Sequence, residues 1–280
     1  MKQNMIEKTA LVLVLYNELP SDLIIEGHKM PIIIIDNTPN RNLKLDGEGI
    51  IYIPLLANKG IAYALNVAAH KAIELQMDWI LTMDQDSILS VDMLENYSDF
   101  LLLDKRNIGV ISPIINMYKG ENKQKSVGYK EIDEAITSGS LINLNAYKEV
   151  GGFKDEMFID AVDFEFCWNL KAHGYKIYQV NNVVMQHQLG HTQEIVFWGK
   201  HLFYVTHHNY IRHYYMQRNG LYMRRIYASK FSKLKSSLKY YLWPIFKILF
   251  FEKDKLRKLK ARYQGYCDFK NNNMGEYIKR

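Results

Sequence analysis

The chain has 280 residues, 48% hydrophobic and 24% charged, with a net charge of +6, which is ordinary for a globular protein and excludes a disordered or fibrous chain. Its two cysteines, Cys167 and Cys267, lie far apart in the sequence, which argues against a disulfide framework and favours a reducing compartment. The longest apolar stretch, residues 240–251, contains Pro244 and Lys247 and is too short to cross a membrane unaided, since a spanning helix needs about 20 residues.

The first half of the sequence alternates strand and helix patterns. The N-terminal apolar run meets Asn17 and Glu18 too soon to be a signal peptide, so we interpret it as the first strand. Apolar runs typical of strands covered on both faces lie at 10–16, 31–36, 49–55, 78–84 and 107–115. Helical spacing predicts helices over 61–76 and 90–103, the second with Ser90 as N-cap. This alternation predicts an α/β fold with a mostly parallel sheet.

The middle of the chain has weaker patterns. Residues 117–135 are polar and predict a loop. Residues 136–153 predict a strand and then a short helix that ends at Gly151. A helix from about 163 to 173 and a strand ending near His187 complete this part.

The C-terminal part is predicted to be helical. No strand pattern is evident after about residue 195, so we expect an α/β domain over 1–200 and a helical region over 201–280. Between Arg224 and Arg262 there are 13 Lys and Arg residues against two acids. This segment predicts a basic amphipathic helix, which either lies on an anionic membrane surface or packs on the α/β domain with a solvated basic face. No nucleic-acid motif is present, and we expect no nucleic-acid partner.

Polar residues follow three of the predicted strands, at the point where each ends. Because parallel strands end at the same edge of a sheet, Asn17, Asp36, Asp84 and Asp86 should lie at one rim, where ligands of α/β sheets bind. Asp84 and Asp86 form a D-x-D pair, and carboxylate oxygens are ligands that Mg²⁺ and Mn²⁺ prefer. The spacing alone favours a turn and helix cap instead, because D-x-D is common by chance.

Seven segments, in order along the chain, carry a family resemblance. They are "NKGIAYALN", "LTMDQDS", "TSGSLI", "GGFKDEMFIDAVDFEFCWNLKAHGY", "HQLG", "RHYYMQRN" and "RYQGYCDFKNNNMG". Together they resemble the inverting glycosyltransferases of family 2, which have the GT-A fold, and the resemblance covers roughly residues 10–275. It is greatest to the rhamnosyltransferase branch, whose members build bacterial surface polysaccharides such as O-antigen and capsule.

The resemblance implies a nucleotide-diphosphate sugar donor bound at the rim. Asp36 is expected to hold the pyrimidine, and Asn17, Asn58, Gly60 and Asp84 to lie around the nucleotide. A Mn²⁺ or Mg²⁺ ion is expected to be bound by Asp86 and, at the family's H-x-x-G position, by His187. Each of these residues also has a plain structural reading, such as a turn at Asp36 or a helix start at Gly60.

The resemblance also implies a catalytic base. Three acids compete in "FIDAVDFEFC", and aligning "AVDFEFC" with the family's F-E-D-x-D-L-C places the base on Asp163. Asp160 and Glu165, with Ser138 and Gly139, are expected on the acceptor side. Val162 stands where the family usually has Glu, so one acid of the usual pair is absent. As an alternative, Asp163 simply caps the following helix.

These expectations define the predicted activity and its rivals. The prediction is inverting transfer of a sugar, most simply L-rhamnose from dTDP-rhamnose, to a glycan or lipid-linked glycan. The enzyme is expected in the cytoplasm, peripheral on the inner face of the cell membrane. A rival enzyme would transfer galactofuranose or a hexose from a UDP donor. A rival of another class is a non-catalytic scaffold of a membrane assembly complex.

Overall fold

The computed structural model describes residues 6–19, 30–45, 47–85, 92–103, 106–116, 123–186, 192–235 and 237–279. These residues divide into two compact units. The first unit holds the described residues up to 186 except Ile159–Ala161. The second holds Ile159–Ala161 together with the described residues from 192 onward.

The first unit contains, within its described residues, an eight-stranded sheet in the order β3-β2-β1-β4-β7-β5-β8-β6. Its strands are β1 (Thr9–Leu15), β2 (Ile32–Asp36), β3 (Ile50–Pro54), β4 (Trp79–Asp84), β5 (Ile108–Asn116), β6 (Tyr129–Ile132), β7 (Ser140–Asn143) and β8 (Lys176–Gln186). Its helices are α1 (Ile61–Glu74), α2 (Met93–Leu101), α3 (Leu144–Val150) and α4 (Val162–Ala172).

The predicted parallel strands are confirmed in the half of the sheet formed by β3, β2, β1 and β4. Every residue of β2 is buried, because elements cover both faces of the sheet, and this explains its unbroken apolar run. Leu15 lies opposite Asp36, and Val14 lies opposite Asp84. The carboxyl ends of three strands therefore meet at one edge of the sheet.

Two features of this sheet differ from the sequence prediction. Strand β7 runs antiparallel to both β4 and β5, so the sheet is mixed. The segment predicted as a loop over 117–135 contains β6, which pairs antiparallel with β8 at the edge of the sheet. Three of the four residues of β6 are exposed, so it lacks the apolar signal of a buried strand.

The hydrophobic core of the first unit lies on both strands and helices. Leu11 and Leu13 of β1 pack in one cluster with Leu81 of β4, and Met93 and Tyr97 of α2 belong to the same cluster. Burial of these side chains fixes the strand ends whose polar residues form the candidate site.

The second unit contains the helices α5 (Tyr210–Tyr227), α6 (Leu238–Phe251) and α7 (Lys255–Lys270). It also contains an antiparallel hairpin of β9 (Gln193–Phe197) and β10 (Lys200–Val205). The prediction of no strand after residue 195 is therefore wrong, and the region expected to be helical from 201 begins with strand residues. No helix in the described part of the chain is long and apolar enough to cross a membrane.

Candidate active site

The rim predicted from strand ends is present for its described members. Asn17 follows β1 and its backbone N–H donates to Thr38 Oγ1 at 2.8 Å, which ties the end of β1 to the turn after β2. Gln85, between the two acids of the D-x-D pair, accepts from Tyr16 N–H at 2.9 Å. Asp36 and Asp84 end β2 and β4 at the same edge. Asp86 lies outside the described residues.

Asp36 is fully buried and accepts four hydrogen bonds. Arg41 donates to both carboxylate oxygens, at 2.6 and 2.8 Å, Tyr52 donates from its hydroxyl at 2.7 Å, and Thr38 donates from its backbone N–H at 3.0 Å. Burial acts to raise the pKa of Asp36, but these hydrogen bonds outweigh it and hold the pKa below its ordinary value. A carboxylate has about four acceptor positions, so a pyrimidine N–H can reach Asp36 only if a donor such as Arg41 turns away.

Asn58 and Gly60 form the entry to α1 beside this rim. Asn37 Nδ2 donates to Asn58 Oδ1 at 3.1 Å, and the same oxygen accepts from Gly60 N–H at 3.1 Å. Gly60 has a φ of 84°, and a Cβ there would lie 2.5 Å from the carbonyl oxygen of Phe158. The close approach of this backbone requires glycine.

Ser138 and Gly139 contact the end of β4. Ser138 Oγ accepts from Asp84 N–H at 3.2 Å, and Gly139 N–H donates to the Thr82 carbonyl at 2.7 Å. Gly139 has a φ of 74°, and a Cβ there would lie 2.9 Å from Met185 Sδ. These two residues thus support the segment that carries the first acid of the D-x-D pair.

The metal-binding prediction falls mostly on positions that the structure does not describe. His187 lies outside the described residues, as Asp86 does. Among the residues that are described, no three His, Cys, Asp or Glu side chains are grouped so that they could hold a metal ion.

The acids near the predicted base have different surroundings. Asp163 lies in the first turn of α4, is half-buried, and accepts from Phe164 N–H at 2.9 Å. Glu165, two residues later, has no exposed surface. The half-buried carboxylate of Asp163 is the one of these two that a substrate can approach.

Asp160 belongs to the second unit and is held there by an ion pair. Arg212 Nε and Nη2 donate to the two carboxylate oxygens of Asp160, each at 2.6 Å. Burial raises the pKa of Asp160, and the Arg212 guanidinium opposes that rise. Both oxygens of Asp160 are thus occupied by a bidentate pair, which is a strong and directional contact.

The segment around Asp160 has a strained backbone. Phe158, Asp160 and Ala161 all have positive φ, at 65°, 66° and 60°. Such conformations cost non-glycine residues about 1–3 kcal/mol each and persist only when the surroundings hold them. They are typical of functional sites.

Asn219 helps to fix the backbone of Ile159–Ala161. Its Nδ2 donates to the carbonyl oxygens of Ile159 and Asp160, both at 2.8 Å. Arg218 Nε donates to Asn219 Oδ1 at 3.0 Å, which fixes the orientation of the amide. Arg212 and Asn219 together form what we call the α5 clamp, with contacts to both the side chain and the backbone of this segment.

No family model matches the chain. A search of curated proteins finds the dTDP-rhamnosyl transferase RfbF of Shigella flexneri, 25% identical over 214 residues, which are 69% of this chain and 70% of that protein. Among solved structures, GalNAc-T7 with UDP, GalNAc and Mn²⁺ matches with a TM-score of 0.53 and 14% identity. The match covers 69% of this chain and 44% of that one. The chain is a glycosyltransferase with the GT-A fold, similar to the rhamnosyltransferases.

Another matched structure is S. aureus TarS 1-349 in complex with UDP, with a TM-score of 0.49 and 13% identity over 97% of this chain and 93% of that one. The match to GalNAc-T7 spans less than half of that protein. The fold and enzyme class predicted from the sequence are confirmed, and the roles of individual residues stay predictions.

Four residues of this glycosyltransferase were not singled out in the sequence. Arg41 and Tyr52 contact Asp36 from 5 and 16 residues away, and nothing in the sequence marks them as its partners. Arg212 and Asn219 are the first and last residues of "RHYYMQRN", one of the segments that carried the resemblance. That motif was a usable signal for the α5 clamp, although its spacing does not reveal what it holds.

Proposed function

We propose that this glycosyltransferase transfers L-rhamnose from dTDP-rhamnose, with inversion, to a glycan or lipid-linked glycan used in cell-surface polysaccharide synthesis. The observation that carries the proposal is the similarity to a dTDP-rhamnosyl transferase over 69% of the chain. The rim formed by the ends of β1, β2 and β4 supports it, because it gathers Asn17, Asp36 and Asp84 at one edge of the sheet.

In this proposal the nucleoside diphosphate lies along the rim. Asp36 and Arg41 meet the pyrimidine, and Asn58 with Gly60 lies beside the nucleotide. The Arg41 guanidinium can turn toward the ligand, since its side chain keeps 17% of its surface exposed while that of Asp36 keeps none. Asp84 and its neighbours lie beside the diphosphate.

A Mn²⁺ or Mg²⁺ ion belongs to the proposal, with Asp86 and His187 as its protein ligands. Asp84 lies two residues before Asp86 in the sequence. Among the described rim residues, Asp84 brings a carboxylate and Asn17 an amide oxygen, which are ligand types that hard cations prefer. When bound, the ion offsets negative charge on the leaving diphosphate.

The base in the proposed reaction is Asp163. Its carboxylate takes the proton from the acceptor hydroxyl as that oxygen forms a bond to the anomeric carbon and the bond to the diphosphate oxygen breaks. Attack on the face opposite the leaving group inverts the anomeric centre. Ser138, Gly139, Asp160 and Glu165 stay proposed as acceptor-side residues.

The proposed location is the cytoplasm, at the inner face of the cell membrane. A lipid-linked acceptor would be presented at that surface, and the segment between Arg224 and Arg262 has an excess of positive charge that anionic lipids attract.

A thermal-shift panel tests the donor. We expect dTDP-rhamnose with Mn²⁺ to raise the Tm more than UDP-glucose or UDP-galactofuranose does, because a ligand that binds only the folded state stabilises it. Asp86→Ala should remove the Mn²⁺-dependent part of the shift. A larger increase in Tm with a UDP sugar would identify that sugar as the donor instead. No shift with any nucleotide sugar would favour the scaffold.

A further inference from the structure

Helix α6 is anchored to the rest of the second unit along one side. Arg224 places its guanidinium carbon 3.5 Å from the ring centroid of Tyr240, and Phe203 of β10 lies 4.9 Å from the Trp243 ring. Lys247 Nζ donates to the Tyr204 carbonyl at 2.9 Å. The anchored positions repeat at helical spacing, so the opposite side of α6 faces away from the unit.

The outward side of α6 is apolar. Its exposed residues recur at intervals of three and four and are Leu238, Tyr241, Leu242, Ile245 and Leu249, with Phe246 and Phe250 beside them. Leu238 is 72% exposed and Phe250 is 67% exposed. A surface helix of a globular protein normally turns its apolar side inward and its charges outward. Here the water-facing side is the apolar one, which indicates a partner that covers it.

The β9–β10 hairpin presents a second apolar feature in the same unit. Trp198 and Gly199 form its turn, both with positive φ, and Trp198 is 90% exposed. Its ring stacks on that of Phe197, with centroids 5.7 Å apart. The hairpin contacts α6 through Phe203, which also lies 5.1 Å from Phe251. Tryptophan at an exposed tip is typical of residues that insert at a membrane–water interface.

The charges beside these apolar residues are mostly positive, although Glu194 of the hairpin and Asp254, between Lys253 and Lys255, are exposed acids. Exposed lysines precede α6, follow it and lie in the hairpin, at Lys200, Lys233, Lys235, Lys253 and Lys255. The 14 residues of α6 include no acid. A second copy of the chain would bring like charges together across this face, whereas an anionic surface would complement them.

We propose that the outward side of α6 and the tip of the β9–β10 hairpin form one docking surface for an anionic phospholipid bilayer. Helix α6 lies in the plane of the interface with its apolar side down, since its 14 residues span about 21 Å, short of the roughly 30 Å hydrocarbon core. Phe197 and Trp198 insert beside it, and the flanking lysines meet the lipid phosphates. The inference rests on the proposed membrane location of the enzyme and names the residues responsible.

Co-sedimentation of the full chain with vesicles tests the proposal. We expect binding to vesicles of phosphatidylcholine mixed with phosphatidylglycerol, weaker binding to phosphatidylcholine alone, and partial release by salt. The emission of Trp198 should shift to the blue and be quenched by brominated phospholipid. Trp198→Phe should abolish most of that quenching, because Trp198 is by far the most exposed tryptophan of the described residues.

Matched substitutions distinguish binding through the proposed docking surface from binding through any exposed apolar residue. Leu242 and Leu103 are both 52% exposed, the first on α6 and the second after α2 in the other unit. Leu242→Ser should weaken vesicle binding by roughly fivefold or more, while Leu103→Ser should leave it unchanged. Both variants should keep the wild-type Tm, because both positions are on the surface.

Three outcomes would overturn the proposal. They are no binding to either vesicle, equal losses for Leu242→Ser and Leu103→Ser, or a concentration-dependent dimer that Leu242→Ser dissociates, which would make a second copy the partner. No nucleotide sugar is present in these assays. Donor-induced shifts in Tm therefore report on the proposed sugar transfer independently.

Discussion

The acids around the predicted base have distinct environments, and these sharpen the test of Asp163. Asp163→Asn keeps the shape of the side chain but cannot accept a proton from the acceptor. We expect transfer to fall by about 10²–10⁴-fold, the usual contribution of a positioned base, with donor affinity almost unchanged. The measurements are transfer from dTDP-rhamnose and donor affinity with Mn²⁺.

Asp160 and Glu165 serve as the comparison. Asp160→Asn weakens the pair with Arg212 and Glu165→Gln changes a fully buried group, so both should lower the Tm, and both should cost less transfer than Asp163→Asn. An inactive Asp160 or Glu165 variant beside an active Asp163→Asn would move the base to that neighbour. Full activity in all three would contradict a single displacement.

The α5 clamp gives a second prediction at the scale of single residues. A single residue separates Ile159–Ala161 from Asp163, so loosening this segment should misplace the base without touching the donor. We expect Arg212→Ala to lower kcat by about tenfold to a hundredfold while the KM for donor stays near wild type. Added guanidinium should restore part of the rate to Arg212→Ala.

Variants on the same helix calibrate that effect. Asn219→Asp puts a carboxylate oxygen against two carbonyl oxygens and should be more harmful than Asn219→Ala. Arg225 is exposed on the same helix and bonds to Asn272 instead, so Arg225→Ala should have wild-type kinetics. Equal losses of kcat in Arg212→Ala and Arg225→Ala would indicate that the α5 clamp contributes only to general stability.

At the scale of elements, the start of α1 depends on a glycine for two separable reasons. Gly60→Ala should suffer both the cost of a left-handed backbone and a clash with the Phe158 carbonyl. Gly49 has a similar φ of 76°, but a Cβ there meets nothing within 4 Å. We expect Gly49→Ala to lower the free energy of unfolding by about 1 kcal/mol, and Gly60→Ala by at least ~1 kcal/mol more. Urea unfolding of the two variants measures the difference.

Buried parallel strands could be predicted because burial on both faces leaves an unbroken apolar run, as in β1 and β2. The edge position of Asp36 and Asp84 followed from that parallel order. The direction of β7 could not be predicted, since a buried strand has the same pattern in either direction. Strand β6 and the β9–β10 hairpin were missed because exposed strands need no apolar alternation. The two runs of β-branched and aromatic residues on either side of Trp198-Gly199 are a pattern typical of a hairpin, and they could have predicted this one.

The partners of Asp36 show why a site is harder to predict than a sheet. Arg41 and Tyr52 reach it through the conformation of the loop after β2 and through pairing with β3, neither of which a local pattern encodes. The apolar pattern of β2 predicts where the strand ends and therefore where Asp36 lies. The hydrogen bonds of Asp36 depend on how separate segments of the chain come together. The role of each site residue therefore needs substitution and kinetics.

At the scale of the whole molecule, the second unit has titratable groups whose protonation opposes folding. Glu252 accepts from Lys258 at 2.7 Å and lies 3.0 Å from His213 Nε2. Burial acts to raise the pKa of Glu252, but these contacts outweigh it and lower the pKa to about 2. His208 is the reverse kind of case, because burial chiefly, with repulsion from Arg212, lowers its pKa to about 4.

These two shifts predict a stepwise loss of stability on acidification. Below about pH 6.5 the unfolded chain protonates His208 while the folded chain does not, so the free energy of unfolding should fall as the pH drops toward 4. Glu252 adds a second loss between about pH 4.5 and 2, where again only the unfolded state takes up the proton.

Urea unfolding at pH 7 and pH 5 should therefore show a lower midpoint at pH 5. His208→Gln should shrink that difference, while His201→Gln, at an exposed position in the hairpin, should leave it intact. A midpoint that is constant between pH 7 and 5, or a His208→Gln variant that keeps the full difference, would assign the acid sensitivity to other groups.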